Sequence, residues 1–273
     1  MTRCSRKFRF RDGKILTLGD KTKVMGILNL SIDSFSDKKI PTDFESMQKK
    51  ILQLIDDGAD IIDVGAQSTR PGYTEISIEE EIDRLRFLPE LVKMSTVPIS
   101  VDTYREEVAE FAAESGVHIL NDIHGLHGNR IAEVAKKFDL PVICMAYRRL
   151  SENVLESIKK SFAETLKIAD EVGIDRNKVI FDPGIGFGKT ADEDMISIAR
   201  IDELKNDFPI LLGASRKSFI GKKLNLDVSN RVDATGAVCV YGILHGVEIV
   251  RVHDVLEVSR MCRMVDELLK FAR

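Results

Sequence analysis

A (β/α)8 barrel of the TIM type, preceded by a β-hairpin, is the fold this sequence predicts. Three observations carry the prediction. Short runs rich in Ile, Val or Leu alternate eight times with longer amphipathic stretches. The runs are continuous rather than alternating, as in parallel strands whose outer face is covered by helices. At 273 residues, with no linker or Pro/Gly/Ser-rich stretch to divide it, the chain reads as one domain over 1–273.

Taken in chain order, Phe8 to Arg11 and Lys14 to Leu18 flank Asp12-Gly13, a hairpin signal spanning 8–18. This hairpin is expected to plug or cap the barrel bottom. The barrel, 24–273, then takes its strands from Val24 to Leu30, Asp60 to Gly65, Pro98 to Asp102, His118 to Asp122, Pro141 to Met145, Val179 to Asp182, Pro209 to Gly213 and Ile249 to Val252. Ser77 with Glu80, and Thr103 with Glu106, have capping-box spacing and predict helix starts. Gly58, Gly116 and Gly173 stand where helices should stop. An open doubly wound sheet is the alternative, but it needs fewer strands and usually opens on a Gly-rich turn that the first unit lacks. The helix Val232 to His245 is apolar on most faces and reads as core or as a subunit contact, hence a dimer surface.

A hydrophobic fraction of 44% and a charged fraction of 31% fit a soluble globular protein. No segment approaches the roughly 20 apolar residues of a membrane span. Met1 to Arg11 is basic with no apolar run behind it, so a cytoplasmic location is expected rather than secretion. Cys4, Cys144, Cys239 and Cys262 form no Cys-x-x-Cys pair and read as reduced thiols. The net charge of -4 is spread along the chain, which argues against nucleic acid and for a small-molecule partner.

Active sites of such barrels lie at the carboxyl ends of the strands. Following each run outward gives Asn29; Gln67, Ser68, Thr69 and Arg70; Asp102; Asn121 and Asp122; Met145-Ala146-Tyr147; Asp182; Ser215, Arg216 and Lys217; and finally Arg251 and His253. Carboxylates as deep as Asp102 and Asp182 are costly unless paired or used on a ligand. Acids and amides suit the donors of a nitrogen heterocycle, while Arg, His and Lys suit an anion. Arg251 and His253, two apart on one strand, point the same way; Arg251 could fork onto phosphate oxygens while His253 adds a further bond. Gly184-Ile-Gly186-Phe-Gly188-Lys189-Thr190 looks like a phosphate loop, but Pro183 stands where that pattern needs glycine, and the string follows the sixth strand instead of opening the sheet.

Five strings, in order, resemble dihydropteroate synthases: Met-Gly-Ile-Leu-Asn (25–29) with Asp-Ser-Phe-Ser-Asp (33–37), Ser-Thr-Arg-Pro-Gly (68–72), Asp-Pro-Gly-Ile-Gly-Phe-Gly-Lys (182–189), Gly-Ala-Ser-Arg-Lys-Ser (213–218) and Arg-Val-His-Asp-Val (251–255). The resemblance runs from Val24 to Val255. It implies a transferase of folate biosynthesis that joins 6-hydroxymethyl-7,8-dihydropterin diphosphate to p-aminobenzoate with loss of diphosphate. It also implies a pterin bonded by Asp102, Asn121 and Asp182, with Lys217 on its carbonyl side and Met145 and Phe187 packing nearby. Asn29, Thr69, Arg251 and His253 would hold the diphosphate, with Mg²⁺ bridging Asn29 and phosphate oxygens. Arg70, Pro71, Phe35 and Ser215 would frame the p-aminobenzoate pocket, and Gly213 belongs to the substrate-binding set. The catalytic groups implied are Asp102, Lys217, Arg251 and His253, in a homodimer.

Four departures from the family's usual strings stand out: Ser31-Ile32 for Thr-Pro, Lys38-Lys39 for Gly-Gly, Ala66-Gln67 for Gly-Glu and Ala146 for His. They leave open a pterin-binding homologue without turnover. A methyltetrahydrofolate-type methyltransferase barrel is the enzymatic rival, but it has no use for a diphosphate clamp.

Overall fold

The computed structural model describes residues 3–31, 42–68, 74–128, 130–205 and 207–272. The hairpin comes first. β1 (Arg6–Arg9) pairs antiparallel with β2 (Ile15–Leu18), Phe8 opposite Leu16. The first strand starts earlier and ends earlier than the sequence suggests, because the Asp12 carboxylate accepts the Lys14 amide at 3.1 Å and Phe10 N donates to Lys14 O at 3.0 Å, which keeps Arg11 to Lys14 in the turn.

Eight parallel strands follow: β3 (Lys23–Asn29), β4 (Ile61–Gly65), β5 (Ile99–Asp102), β6 (Ile119–Asp122), β7 (Val142–Met145), β8 (Val179–Asp182), β9 (Leu211–Leu212) and β10 (Ile249–Val252). Their order is β8-β7-β6-β5-β4-β3-β10-β9, and a parallel bridge between Phe181 and Ile210 brings the two ends together into a nearly closed barrel. β9 is shorter than the run 209–213 because Pro209 has no N–H to give the ladder. The helices are α1 (Phe44–Asp56), α2 (Ile78–Arg84), α3 (Leu88–Met94), α4 (Glu106–Glu114), α5 (Ile131–Phe138), α6 (Val154–Val172), α7 (Ala191–Ala199), α8 (Ser218–Leu224), α9 (Val232–Leu244) and α10 (Val255–Phe271). None among the described residues is long and apolar enough to cross a membrane.

Side chains along a strand face opposite sides in turn, so each continuous apolar run serves two cores. Outward residues such as Val24, Ile62, Val101, Leu120, Val142, Phe181 and Val250 pack against the helices. The inward residues at the strand starts, Met25, Ile61, Ile119, Ile143, Ile180, Leu211 and Ile249, form a separate cluster with Phe8, Leu16 and Leu18 of the hairpin. The hairpin therefore caps the barrel bottom. One inward step further along β4, β6, β8 and β10 the side chains turn polar, at Asp63, Asn121, Asp182 and Arg251.

Helix ends follow local chemistry, with one correction. Ser77 accepts the Glu80 amide at 3.1 Å as expected, and Gly58, Gly116 and Gly173 all lie just beyond helix ends with positive φ. Thr103 does not cap. Its hydroxyl is drawn to the buried Glu81 at 3.1 Å, and α4 starts behind Arg105 without a side-chain cap. A reciprocal capping box forms instead at Thr190 and Glu193, opening α7. Thr190→Ala is expected to lower stability by about 1 kcal/mol, read as a drop in the thermal midpoint. An unchanged midpoint would deny that cap a role.

Candidate active site

Where the barrel interior turns polar, one guanidinium organises the layer. Arg251 of β10 donates from Nε to Asp63 of β4 and from Nη2 to Asp102 of β5, each at 2.6 Å. Asn121 of β6 donates to the same Asp63 oxygen at 3.1 Å. Asp63 is fully buried, and its Oδ1, Asp102 Oδ1 and Ser100 Oγ are buried with no partner among the described residues. Because Nε and Nη2 are committed to carboxylates, the fork expected to face a phosphate grips Asp63 and Asp102, leaving the Nη1 edge for an anion.

Two carboxylates sharing one cation cannot both be fully compensated. Burial pushes Asp102 up to about 7; Arg251 pulls against that and Asp63 adds to it. Burial works to lower Arg251 as well, but its two carboxylates hold it above the ordinary range and fully charged. Asp102 in the unfolded chain titrates at roughly 4, so between that value and 7 the native state binds more protons. The Asp102 contribution to stability is thus expected to fall as pH rises through this window. Urea midpoints measured across it should lose that component in Asp102→Asn; an identical pH slope in the variant would refute the assignment.

The second wall of the site comes from β8 and the loop behind it. Asp182 is buried, accepts the Gly184 amide at 2.7 Å, and is raised by burial against the pull of that bond and of Lys217. Lys217 Nζ lies 4.1 Å from the centroid of the Phe187 ring. Gly186, at φ +79, lets the lysine stem pass: an added Cβ would stand 2.8 Å from Lys217 Cδ. Gly213 is less crowded, an added Cβ falling in ordinary contact 3.5 Å from Asp182 Oδ2, and Met145 is buried at the end of β7.

The third corner joins β9 and β10. Ser215 Oγ lies 3.0 Å from His253 Nδ1 and accepts the His253 amide at 3.2 Å. Arg216 adopts a left-handed backbone, φ 55, and turns out of the site to grip Asp254, Nε to Oδ2 at 2.8 Å. Asn29 ends β3, its Oδ1 3.9 Å from where a Cβ on Gly65 would stand.

The structure thus gathers Asp102, Asn121, Met145, Asp182, Phe187, Gly213, Ser215, Lys217, Arg251 and His253 around one barrel mouth, with Asn29 on its rim. Phe35, Thr69, Arg70 and Pro71, and the departures Ile32, Lys38 and Lys39, lie outside the described residues. Asp122 faces away and binds the following turn, accepting amides of His124 and Leu126 at 2.8 and 2.7 Å. Asp63 is the residue that following each strand to its end misses. Its signal was available: an acid in an otherwise apolar strand, on the inward parity set by Ile61. Tyr147, reached at the end of the fifth run, stacks with His124 and through it with Tyr104, centroids 4.6 and 4.7 Å apart, beyond β5, β6 and β7; Tyr104 and His124 were not reached by following the strands. At the departure Ala66-Gln67, the Gln67 amide donates to Ser68 O and Thr74 O at 2.7 and 3.3 Å and accepts the Ile76 amide at 2.9 Å, bonds a carboxylate could not all make.

A (β/α)8 barrel with buried acids, an amide and paired cations converging at the carboxyl ends of its strands is an enzyme of the barrel class that binds a polar ligand there. Residues 25–253 match the pterin binding enzyme family. A dihydropteroate synthase of Clostridium beijerinckii is 43% identical over 263 residues, 94% of this chain and 98% of the relative, and one of Bacillus subtilis is 41% identical over 262 residues. Among solved structures, the Yersinia pestis dihydropteroate synthase with a sulfonamide drug complex superposes with a TM-score of 0.90 at 33% identity, covering 97% of this chain and 99% of the other. The Xanthomonas albilineans enzyme with 4-aminobenzoic acid gives 0.89 at 31% identity, covering 97% and 98%. The chain belongs to the dihydropteroate synthase family.

Proposed function

We propose that the chain condenses 6-hydroxymethyl-7,8-dihydropterin diphosphate with p-aminobenzoate to give 7,8-dihydropteroate and diphosphate. The observation that supports this most is the acceptor-rich layer of Asp63, Asp102, Asn121 and Asp182 around Arg251, beneath the corner formed by Lys217 and His253. Acids and an amide match the N–H donors of a pterin edge, and Lys217 matches its carbonyl. The unpartnered Oδ1 of Asp102 is ready to accept such a donor.

In this reading the methylene-to-oxygen bond breaks, the arylamine nitrogen forms the new bond, and the amine proton leaves with the diphosphate or to water. Positive charge developing on the pterin methylene is favoured by the nearby carboxylates. Negative charge on the departing diphosphate is met by His253 and by the Nη1 edge of Arg251. No protein nucleophile takes part. Arg251, locked between Asp63 and Asp102, is preorganised for this role. Ser215 orients His253, while Phe35, Thr69, Arg70 and Pro71 complete the amine and phosphate subsites.

Mg²⁺ fits the donor set. The described residues hold no cluster of His, Cys, Asp or Glu to cage a metal, but the Asn29 amide oxygen at the mouth suits an ion that keeps water and substrate phosphates as its other ligands. Bound there, Mg²⁺ would neutralise the leaving diphosphate. A homodimer through α9 and α10 is proposed on their outward apolar side chains, Leu244, Met264 and Leu268, and a cytoplasmic location on the free thiols.

The test is diphosphate release from purified protein given the pterin diphosphate, p-aminobenzoate and Mg²⁺. Amine-dependent release with dihydropteroate formed is expected. Thermal stabilisation by the pterin diphosphate without turnover would select the binding homologue and overturn the synthase reading.

A further inference from the structure

The string that imitates a phosphate loop does something else here. Lys189, the residue that would reach a phosphate, turns back on its own loop: Nζ donates to Gly184 O at 2.8 Å and to Phe187 O at 3.3 Å. From the other side Asp194, buried in α7, accepts the Gly186 amide at 2.8 Å. These anchors fix three successive glycines with left-handed backbones, Gly184, Gly186 and Gly188, which would otherwise have many conformations to choose from. The fixed loop is what Lys217 rests on. Its stem crosses Gly186 where no Cβ fits, and its ammonium sits over the Phe187 ring.

The geometry points to Lys189 and Asp194 as a positioning pair for Lys217: together they set the loop on which the substrate-facing ammonium is aimed. Neither needs to touch a substrate. Burial disfavours the charged form of each, and each opposes that for the other. The pair is therefore an internal clamp whose two charges depend on one another. The role for Lys217 rests on the synthase reading above.

A double-mutant cycle separates positioning from simple stability. Lys189→Met alone is expected to lower kcat/KM about 10-fold or more, the scale of a coupling between contacting residues. In a Lys217→Ala background the same change should do little, because the group it aims is gone. Lys189→Arg, which restores a cation but not the compact ammonium, should recover part of the loss. Asp194→Ala, which removes the acceptor of the Gly186 amide, should repeat the pattern and serves where Lys189→Met folds poorly. Equal losses in both backgrounds, or no loss in either, would overturn the inference while leaving the synthase intact. Wild-type protein without amine-dependent turnover would instead remove the reading on which it rests, and the inference with it.

Discussion

Arg251→Ala is expected to disable the protein twice. Among the described residues Arg251 is the one cation bonded to both Asp63 and Asp102, and Asp63 has no access to water. Removing one member of a buried ion pair typically costs about 3–5 kcal/mol, because the partner's charge stays behind uncompensated. Pterin diphosphate affinity should fall by about 2–4 kcal/mol, the scale of a truncated charge-assisted contact. Denaturant titration reads the first loss and calorimetric titration the second. Arg251→Lys should restore little of either, since a single ammonium cannot span two carboxylates as the planar fork does. A fully stable Arg251→Ala protein with native affinity would remove Arg251 from both roles.

Glu248→Ala is expected to unfold the opposite end of the barrel at comparable cost without touching the site. The Glu248 side chain is fully buried and accepts the Cys4 amide at 2.6 Å, the Ile210 amide at 2.8 Å and Lys205 Nζ at 2.9 Å. The truncation leaves two backbone N–H groups without this acceptor and deprives a mostly buried ammonium of its carboxylate. A loss of about 3–5 kcal/mol follows. Glu248→Gln keeps an acceptor and should lose less. Turnover per folded molecule should be native in both; a selective loss of kcat with unchanged urea midpoint would contradict the placement.

The strands were legible because burial on both faces leaves uninterrupted apolar runs, and the site was legible in outline because polar residues end those runs. What escaped depends on partners far along the chain. Asp63 lies between Ile62 and Val64 and is explained by Arg251, 188 residues later, and by Asn121, 58 residues later. Thr103 has the right spacing for a cap, yet Glu81 claims its hydroxyl from 22 residues upstream. Lys189 and Thr190 sit in a string whose look suggests phosphate; their bonds show a self-anchored loop and a helix cap. Local patterns predicted elements well, but not which of two available partners a side chain takes.

The hairpin at the barrel floor has a consequence for how the chain comes to its final form. Phe8, Leu16 and Leu18 pack on the first inward residues of strands from β3 to β10, Cys4 bonds to Glu248, and Arg3 pairs with Asp266 at 2.7 Å. Those partners lie 244 and 263 residues further along the chain. The hairpin is made before the strands it covers, and until β10 is in place its apolar side chains have only part of the surface they finally cover. Contacts of such long sequence separation form late and slowly. A growing chain therefore carries an unsatisfied hydrophobic flap while the eight barrel strands are made one after another.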